Sequence, residues 1–224
     1  MNHGTVCIVV LFVFQVVGFA DADEKNMVIK AEKDTVIYKE SGSKSNGSGE
    51  FLFVGQNGGG SARRSLVKFD LAKLPANAMI SKASVVLNVT KANKDGSQVA
   101  LHRLMSAWGE GKSDAAGGEG GGAQALEGDT TWEQTKFPNQ KWKKAGGDFN
   151  SGPSAKHALG KSGKVTWTSD QLTKDVQEWA KDKSTNFGWM LIGDESKPGT
   201  ATRFNSRVDT DAGPQLLIEY SIKK

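Results

Sequence analysis

The sequence predicts an all-β protein: an antiparallel β-sandwich with one short helix and one long irregular loop. Three observations carry this. Short segments alternate apolar and polar residues, Gly, Asn, Ser and Pro punctuate them, and a single stretch has helical spacing. About nine such segments follow one another without a βαβ pattern, which favours two packed antiparallel layers over a parallel sheet.

The strands can be taken in order. KDTVIYK (33–39) and FLFV (51–54) are the first two. SLVKFDL (65–71) sets Ser65, Val67, Phe69 and Leu71 on one face against Leu66, Lys68 and Asp70 on the other. ASVVLNVT (83–90) aligns Ala83, Val85, Leu87 and Val89. QVALHRL (98–104), KVTW (164–167), FGWMLI (187–192) and ATRFNS (201–206) come next. LLIEYSI (216–222) closes the series with Leu216, Ile218, Tyr220 and Ile222 on one face. Each reads as a half-buried strand.

The helix is SDQLTKDVQEWAKDK (169–183), where Leu172, Val176, Trp179 and Ala180 form an apolar stripe. Ser169 is placed to cap it and Asp170 suits its positive end. Trp179 reads as a core anchor. Asn186 and Gly188 then suit a turn.

Residues 106–163 contain no clean element. SDAAGGEGGGAQALEG (113–128) is low in complexity and is expected to be mobile. GDTTWEQTKFPNQKWKKAGGDFNS (128–151) carries Trp132, Phe137, Trp142 and Phe149 among polar and small residues. A segment without its own ladder must recover an ordering cost of roughly 1–2 kcal/mol per residue. Burial of each large ring returns roughly 1.5–3 kcal/mol, so these rings are expected to pin a flap to the core. A compatible alternative is that one ring presents its face to a sugar. Trp142 is the better candidate because Lys141, Lys143 and Lys144 flank it. Trp108, Trp167 and Trp189 read as structural.

VCIVVLFVFQVVGFA (6–20) is apolar, short for a bilayer, and followed by Ala20-Asp21-Ala22. Residues 1–22 are therefore expected to be a cleaved secretory signal and 23–224 a single secreted domain. The one cysteine, Cys7, falls in the signal, which argues against a disulfide scaffold or thiol chemistry. The formal charge rises from +4 to +5 on losing Asp21. Lys and Arg are not clustered, so nucleic acid is a poor match, and no membrane partner is expected after cleavage. An anionic polysaccharide suits a mildly basic secreted protein.

Eight local patterns occur in order: DTVIY (34–38), FLFVG (51–55), RRSLVKFDLAKLPANAMISKASVVLNV (63–89), VALHRLMSAWGEG (99–111), DTTW (129–132), WKKAGGDF (142–149), WTSDQLTKDVQEWAKDKSTNFGWMLIG (167–193) and TRFNSRVDTDAGPQLLIEY (202–220). Together they resemble the DNRLRE domain family, also classed as carbohydrate-binding module family 96. The likeness covers nearly all of the chain after the signal. The naming hexapeptide is absent, and NSRVDTD (205–211) is the nearest element. The resemblance implies a jelly-roll-like β-sandwich without catalysis, often attached to secreted polysaccharide-degrading enzymes or surface proteins. For some members it implies binding to acidic polysaccharides such as alginate. Residues 23–224 are expected to hold the module alone, without a catalytic domain, which leaves adhesion, matrix and partner-delivered roles open.

Five arginines, Arg63, Arg64, Arg103, Arg203 and Arg207, fall in or beside the expected strands. Their planar forks suit the carboxylates of a uronate chain. With Trp142 and Lys143 they form the candidate carbohydrate-binding set. The competing reading pairs them with Asp70, Asp194, Asp209 or Asp211 to hold strands and turns together. Arg63 and Arg64 should face opposite ways, and Arg203 and Arg207 share a face only if their strand stays regular.

Catalysis has little support. His102 is expected to face solvent from a strand and His157 lies in an expected loop; no G-x-S-x-G occurs. Asp34, Asp129, Asp148, Asp209 and Asp211 could donate oxygen to a structural Ca²⁺, but no EF-hand loop is present, and no cofactor is expected beyond that option. The expectation is a secreted carbohydrate-binding protein. The alternatives are a structural or adhesive matrix protein and an enzyme acting through His102 or His157.

Overall fold

The computed structural model describes residues 23–93 and 96–222, together with Met1. The signal segment expected at 1–22 otherwise lies outside the described residues. Among them, no helix is long and apolar enough to cross a membrane.

The chain is mostly antiparallel β-structure with one α-helix, as expected. In chain order the strands are β1 (Lys25–Tyr38), β2 (Lys44–Ser45), β3 (Phe51–Gln56), β4 (Ala62–Phe69), β5 (Ala78–Ala92), β6 (Gln98–Arg103) and β7 (Ala123–Gln124). β8 (Gln134–Lys136), β9 (Gln140–Lys141), β10 (Ala155–Ala158) and β11 (Gly163–Thr168) precede the helix α1 (Asp170–Lys181) and a 3₁₀ turn at Lys183–Thr185. β12 (Trp189–Ile192), β13 (Thr202–Asn205) and β14 (Gln215–Ile222) complete the chain.

The open sandwich is corrected in one respect. Hydrogen bonding runs β1–β4–β3–β13–β5–β14 and returns to β1, so six strands close into a barrel. The closure depends on the length of β1. Its first half, Lys25 to Lys30, pairs with β14. Its second half, from Ala31 to Tyr38, pairs with β4, and the register slips between Ala31 and Lys33 where the partner changes. A bulge there bends and twists the strand, letting one strand serve both layers. β12, β6 and β10 extend the sheet beyond β4.

The main core fills the barrel with Val36, Leu52, Val67, Phe69, Trp167, Phe204 and Leu216, all at most 1% exposed. The helix closes onto it as its stripe requires, with Leu172, Val176 and Trp179 buried. Ser169 Oγ accepts the Leu172 amide at 3.0 Å, the expected cap. Trp179 meets Trp189 edge-on at 4.5 Å between ring centroids. Asn186 Oδ1 accepts the Gly188 amide, and Gly188 holds φ +81 where a Cβ would lie 2.1 Å from the Val67 carbonyl.

A second core lies on the outer side of β4 and β12. Ile37, Leu66 and Met190 point into it and Trp108, Trp132 and Trp142 cover it. β4 is therefore buried on both faces, not half-buried. The long loop is the cover. It contains the small β8–β9 hairpin and is held by carboxylates that accept its own amides. Asp129, fully buried, takes Lys112 and Leu126 amides at 2.7 Å each. Asp148 takes those of Lys143 and Lys144 at 2.9 and 3.0 Å.

The Gly/Ala stretch is likewise tied down, where mobility was expected. Glu119 is 5% exposed at φ +60. Its carboxylate accepts the amides of Glu50 and Phe51 at 2.9 and 3.0 Å and Asn46 Nδ2 at 2.7 Å. One acidic side chain thus anchors a run of glycines against the start of β3.

Candidate functional site

The candidate residues do not converge on one surface. Arg63 and Arg64 face opposite ways, as alternation requires. Arg63 is 3% exposed, bound to Glu40 at 2.7 Å and to the carbonyls of Gly120 and Ser61 at 2.8 Å. Arg64 forms a two-pronged pair with Glu195 and donates to the Gly146 carbonyl at 2.8 Å. Arg103 is bound to Glu178 and lies 3.6 Å from Asp175. Arg207 pairs with Glu110 through Nε and Nη2, the latter at 2.8 Å, and this bond raises its pKa. β13 ends at Asn205, so Arg207 does not share the face of Arg203. The four arginines hold loops and helix to strands, as the competing reading had it. Their partners, however, are Glu40, Glu195, Asp175, Glu178 and Glu110, not the aspartates expected from sequence.

Trp142 is corrected as a stacking platform. It is 5% exposed, and its indole N–H donates to the Thr131 carbonyl at 2.9 Å. Trp132, at 9% exposed, lies beneath the Arg64 guanidinium. Trp132, Trp142 and Phe149 are anchors of the flap, whereas Phe137 is half-buried and outside both cores. Lys143 is exposed on the turn that Asp148 holds.

Arg203 differs from the other four. Its guanidinium lies 3.9 Å over the Phe51 ring and its Nε donates to Thr90 Oγ1 at 2.9 Å. No carboxylate pairs with it among the described residues. It borders a cleft of about 270 Å³ whose wall includes Lys91, Asn93, Thr202 and Gly118. Three strands, β3, β5 and β13, and the anchored glycine loop build this cleft. Arg203 is in register with Lys91 on β5 and with Phe53 on β3. Between Arg203 and Phe204 the β5 partner jumps from Lys91 to Val89, which leaves Thr90 as the extra residue of a bulge. The bulge turns Lys91 outward beside Arg203, where strict alternation with Val89 would have turned it inward. The described lining holds two cations and no carboxylate. Such a site can receive a carboxylate or sulfate group, with the guanidinium pre-oriented by its ring and hydroxyl.

Sequence reasoning missed Lys91, Asn93 and Gly118. Lys91 had no signal, because the bulge that exposes it comes from the pairing with β13. Gly118 had only the acidic residue beside it, Glu119 within a glycine run.

His102 stands on the outward face of β6, half-buried. Its Nδ1 lies 2.8 Å from the Asn150 carbonyl and burial lowers its pKa. His157 lies on β10, not in a loop, and meets Trp167 edge-on at 6.0 Å. The possible calcium donors Asp129, Asp148 and Asp209 spend oxygens on backbone amides. No cluster of three or more metal-ligating side chains occurs among the described residues. A larger depression, about 610 Å³, crosses β10, β6 and β12, and none of the seven candidate residues lines it. Comparison with family models and with curated proteins returns no match.

Proposed function

We propose that this protein is a secreted, non-catalytic carbohydrate-binding protein of DNRLRE type that grips an acidic polysaccharide, such as alginate, at the Arg203–Lys91 cleft. One observation carries the reading: the guanidinium held over Phe51 stands beside an exposed lysine with no carboxylate in the described lining. The other four arginines are neutralised within the chain, so of the five it is Arg203 whose guanidinium has no carboxylate partner among the described residues. The membership rests on the eight sequence patterns, and secretion on the apolar segment at 6–20.

The test is retention on immobilised alginate, pectin and neutral glucan. Retention on an acidic polymer should fall steeply with salt. It should weaken about tenfold when Lys91 and Arg203 are both replaced by Ala, the loss expected for two charge-assisted contacts. Equal retention by the double variant, or no retention on either acidic polymer, would sink the reading.

A further inference from the structure

The large depression over β10, β6 and β12 is built differently from the cleft. Lys156, Ala100 and Ile192 stand in one row across the three strands, since Ala100 pairs with both of the others. Ala100 and Ile192 are half-buried, so the middle of the row is a small apolar floor. Polar groups border it. Gln98 contributes an exposed carboxamide that both donates and accepts. His102 also lines the depression. The Asn150 carbonyl can only accept, so Nδ1 carries the ring hydrogen and Nε2 of the neutral ring is an acceptor.

The charges on this surface are balanced. Lys156 is one cation. On the opposite wall Glu195 is already held by Arg64, and Asp194 Oδ1 accepts the Ser196 amide at 2.9 Å. An anionic chain would meet Asp194 here and a cationic one would meet Lys156. A ligand that offers hydroxyls to Gln98 and His102, and a C–H face to Ala100 and Ile192, meets no charge penalty.

We infer that this depression is a second binding site, for a neutral, hydroxyl-rich saccharide chain lying across the three strands. The inference rests on the carbohydrate-binding reading for ligand class, but on a different surface and a different chemistry. The site is an open face, about 610 Å³ in volume, large enough for a run of sugar units.

The experiment is calorimetric titration of the mature protein with cellohexaose, mannohexaose and xylohexaose, with hexamannuronate as the acidic comparison. At least one neutral hexasaccharide should bind, with an affinity changing less than about twofold between about 0.05 and 0.5 M salt. Ala100→Trp should fill the floor and weaken that binding at least about tenfold. Gln98→Ala and His102→Ala, which remove only exposed or half-exposed groups, should each weaken it several-fold and serve if the Trp variant does not fold. Lys91→Ala with Arg203→Ala should leave it unchanged. Failure of all three neutral chains to bind overturns the inference, as does neutral binding that these groove variants leave intact. Hexamannuronate binding lost in the groove variants would overturn the neutral assignment. Hexamannuronate binding insensitive to Lys91 and Arg203 would instead count against the cleft, so the two sites fail separately.

Discussion

Arg64 holds Glu195 with both prongs of its guanidinium, Nε and Nη2 each 2.7 Å from a carboxylate oxygen. Arg64 is on β4 and Glu195 is in the turn after β12, its neighbour in the sheet. The third nitrogen reaches the flap at Gly146, and Cζ of the group lies 4.7 Å from the Trp132 ring centre. One side chain therefore joins a strand, a turn and the flap. The arginine fork that made Arg64 a candidate for uronate recognition is used here to assemble the molecule.

That arrangement predicts a stability effect without a binding effect. The pair is only 15% and 23% exposed, so removing one partner leaves the other poorly solvated. Arg64→Ala should cost about 2–3 kcal/mol, less than a fully buried pair and more than a surface one. Arg64→Lys should recover little, because an ammonium cannot span both oxygens and the Gly146 carbonyl. Urea unfolding measures both variants, and alginate retention per folded molecule should not change.

Trp142 provides the sharpest contrast with the sugar-stacking expectation. As a buried flap anchor its replacement by Ala should cost about 3–5 kcal/mol. Trp142→Phe keeps most of the packing but strips the Thr131 carbonyl of its indole donor, at about 1–3 kcal/mol. Neither change should alter affinity for any saccharide once the folded fraction is corrected for. A large affinity loss in a fully folded Trp142→Phe variant would show that the ring does reach ligand.

Much of the architecture was legible because burial imposes periodicity. Val85, Leu87 and Val89 point inward as their alternation requires, and Leu172, Val176 and Trp179 face the core as their helical spacing requires. The closure was not legible. The first half of β1, KNMVIKAE, alternates weakly among charges, and only its pairing with β14 makes it a strand. Leu66 and Met190 were readable as apolar residues on an outer face, but not as the floor of a second core, because their cover comes from a segment without period. The site followed the same rule. The arginines were correct as residue types suited to carboxylates, yet four of their carboxylate partners lie far along the chain. Lys91 depends on a bulge, a property of two strands together that neither sequence declares.

Glu119 couples the glycine loop to the cleft. Its two oxygens accept three donors, which a neutral carboxamide cannot reproduce, since its NH₂ would face another donor. Glu119→Gln should therefore cost about 2–3 kcal/mol. Loosening should be local: amide exchange at Glu50 and Phe51 should accelerate while that of β5 holds. Because Gly118 walls the cleft, acidic-polymer retention should weaken along with it. Unchanged exchange at Glu50 and Phe51 would show that the loop is fixed by other contacts.

Acid and base act on the fold through Asp34. Asp34 is buried beside Glu110 and Arg207, and burial raises its pKa from 3.8 to about 7, partly countered by the Arg207 amide it accepts at 2.7 Å. A carboxyl raised by folding is favoured in its protonated form. Its contribution to stability is therefore complete below about pH 4 and is lost as the pH rises towards 7. The loss approaches about 1.4 kcal/mol per pH unit where the folded state holds the proton and the unfolded state does not. Lys33 alongside, lowered by burial to about 8, acts in the alkaline range and leaves this window clear. Asp34→Asn keeps an oxygen for the Arg207 amide and removes the titration. Stability of the Asn variant relative to the parent should thus increase steadily from pH 4.5 to 7 and level off above it. Taking the difference between the two proteins cancels His102, which titrates in the same window with the opposite sign. Urea midpoints measured across the range decide the matter, and parallel curves for the two proteins would mean that Asp34 is ionised in the fold throughout.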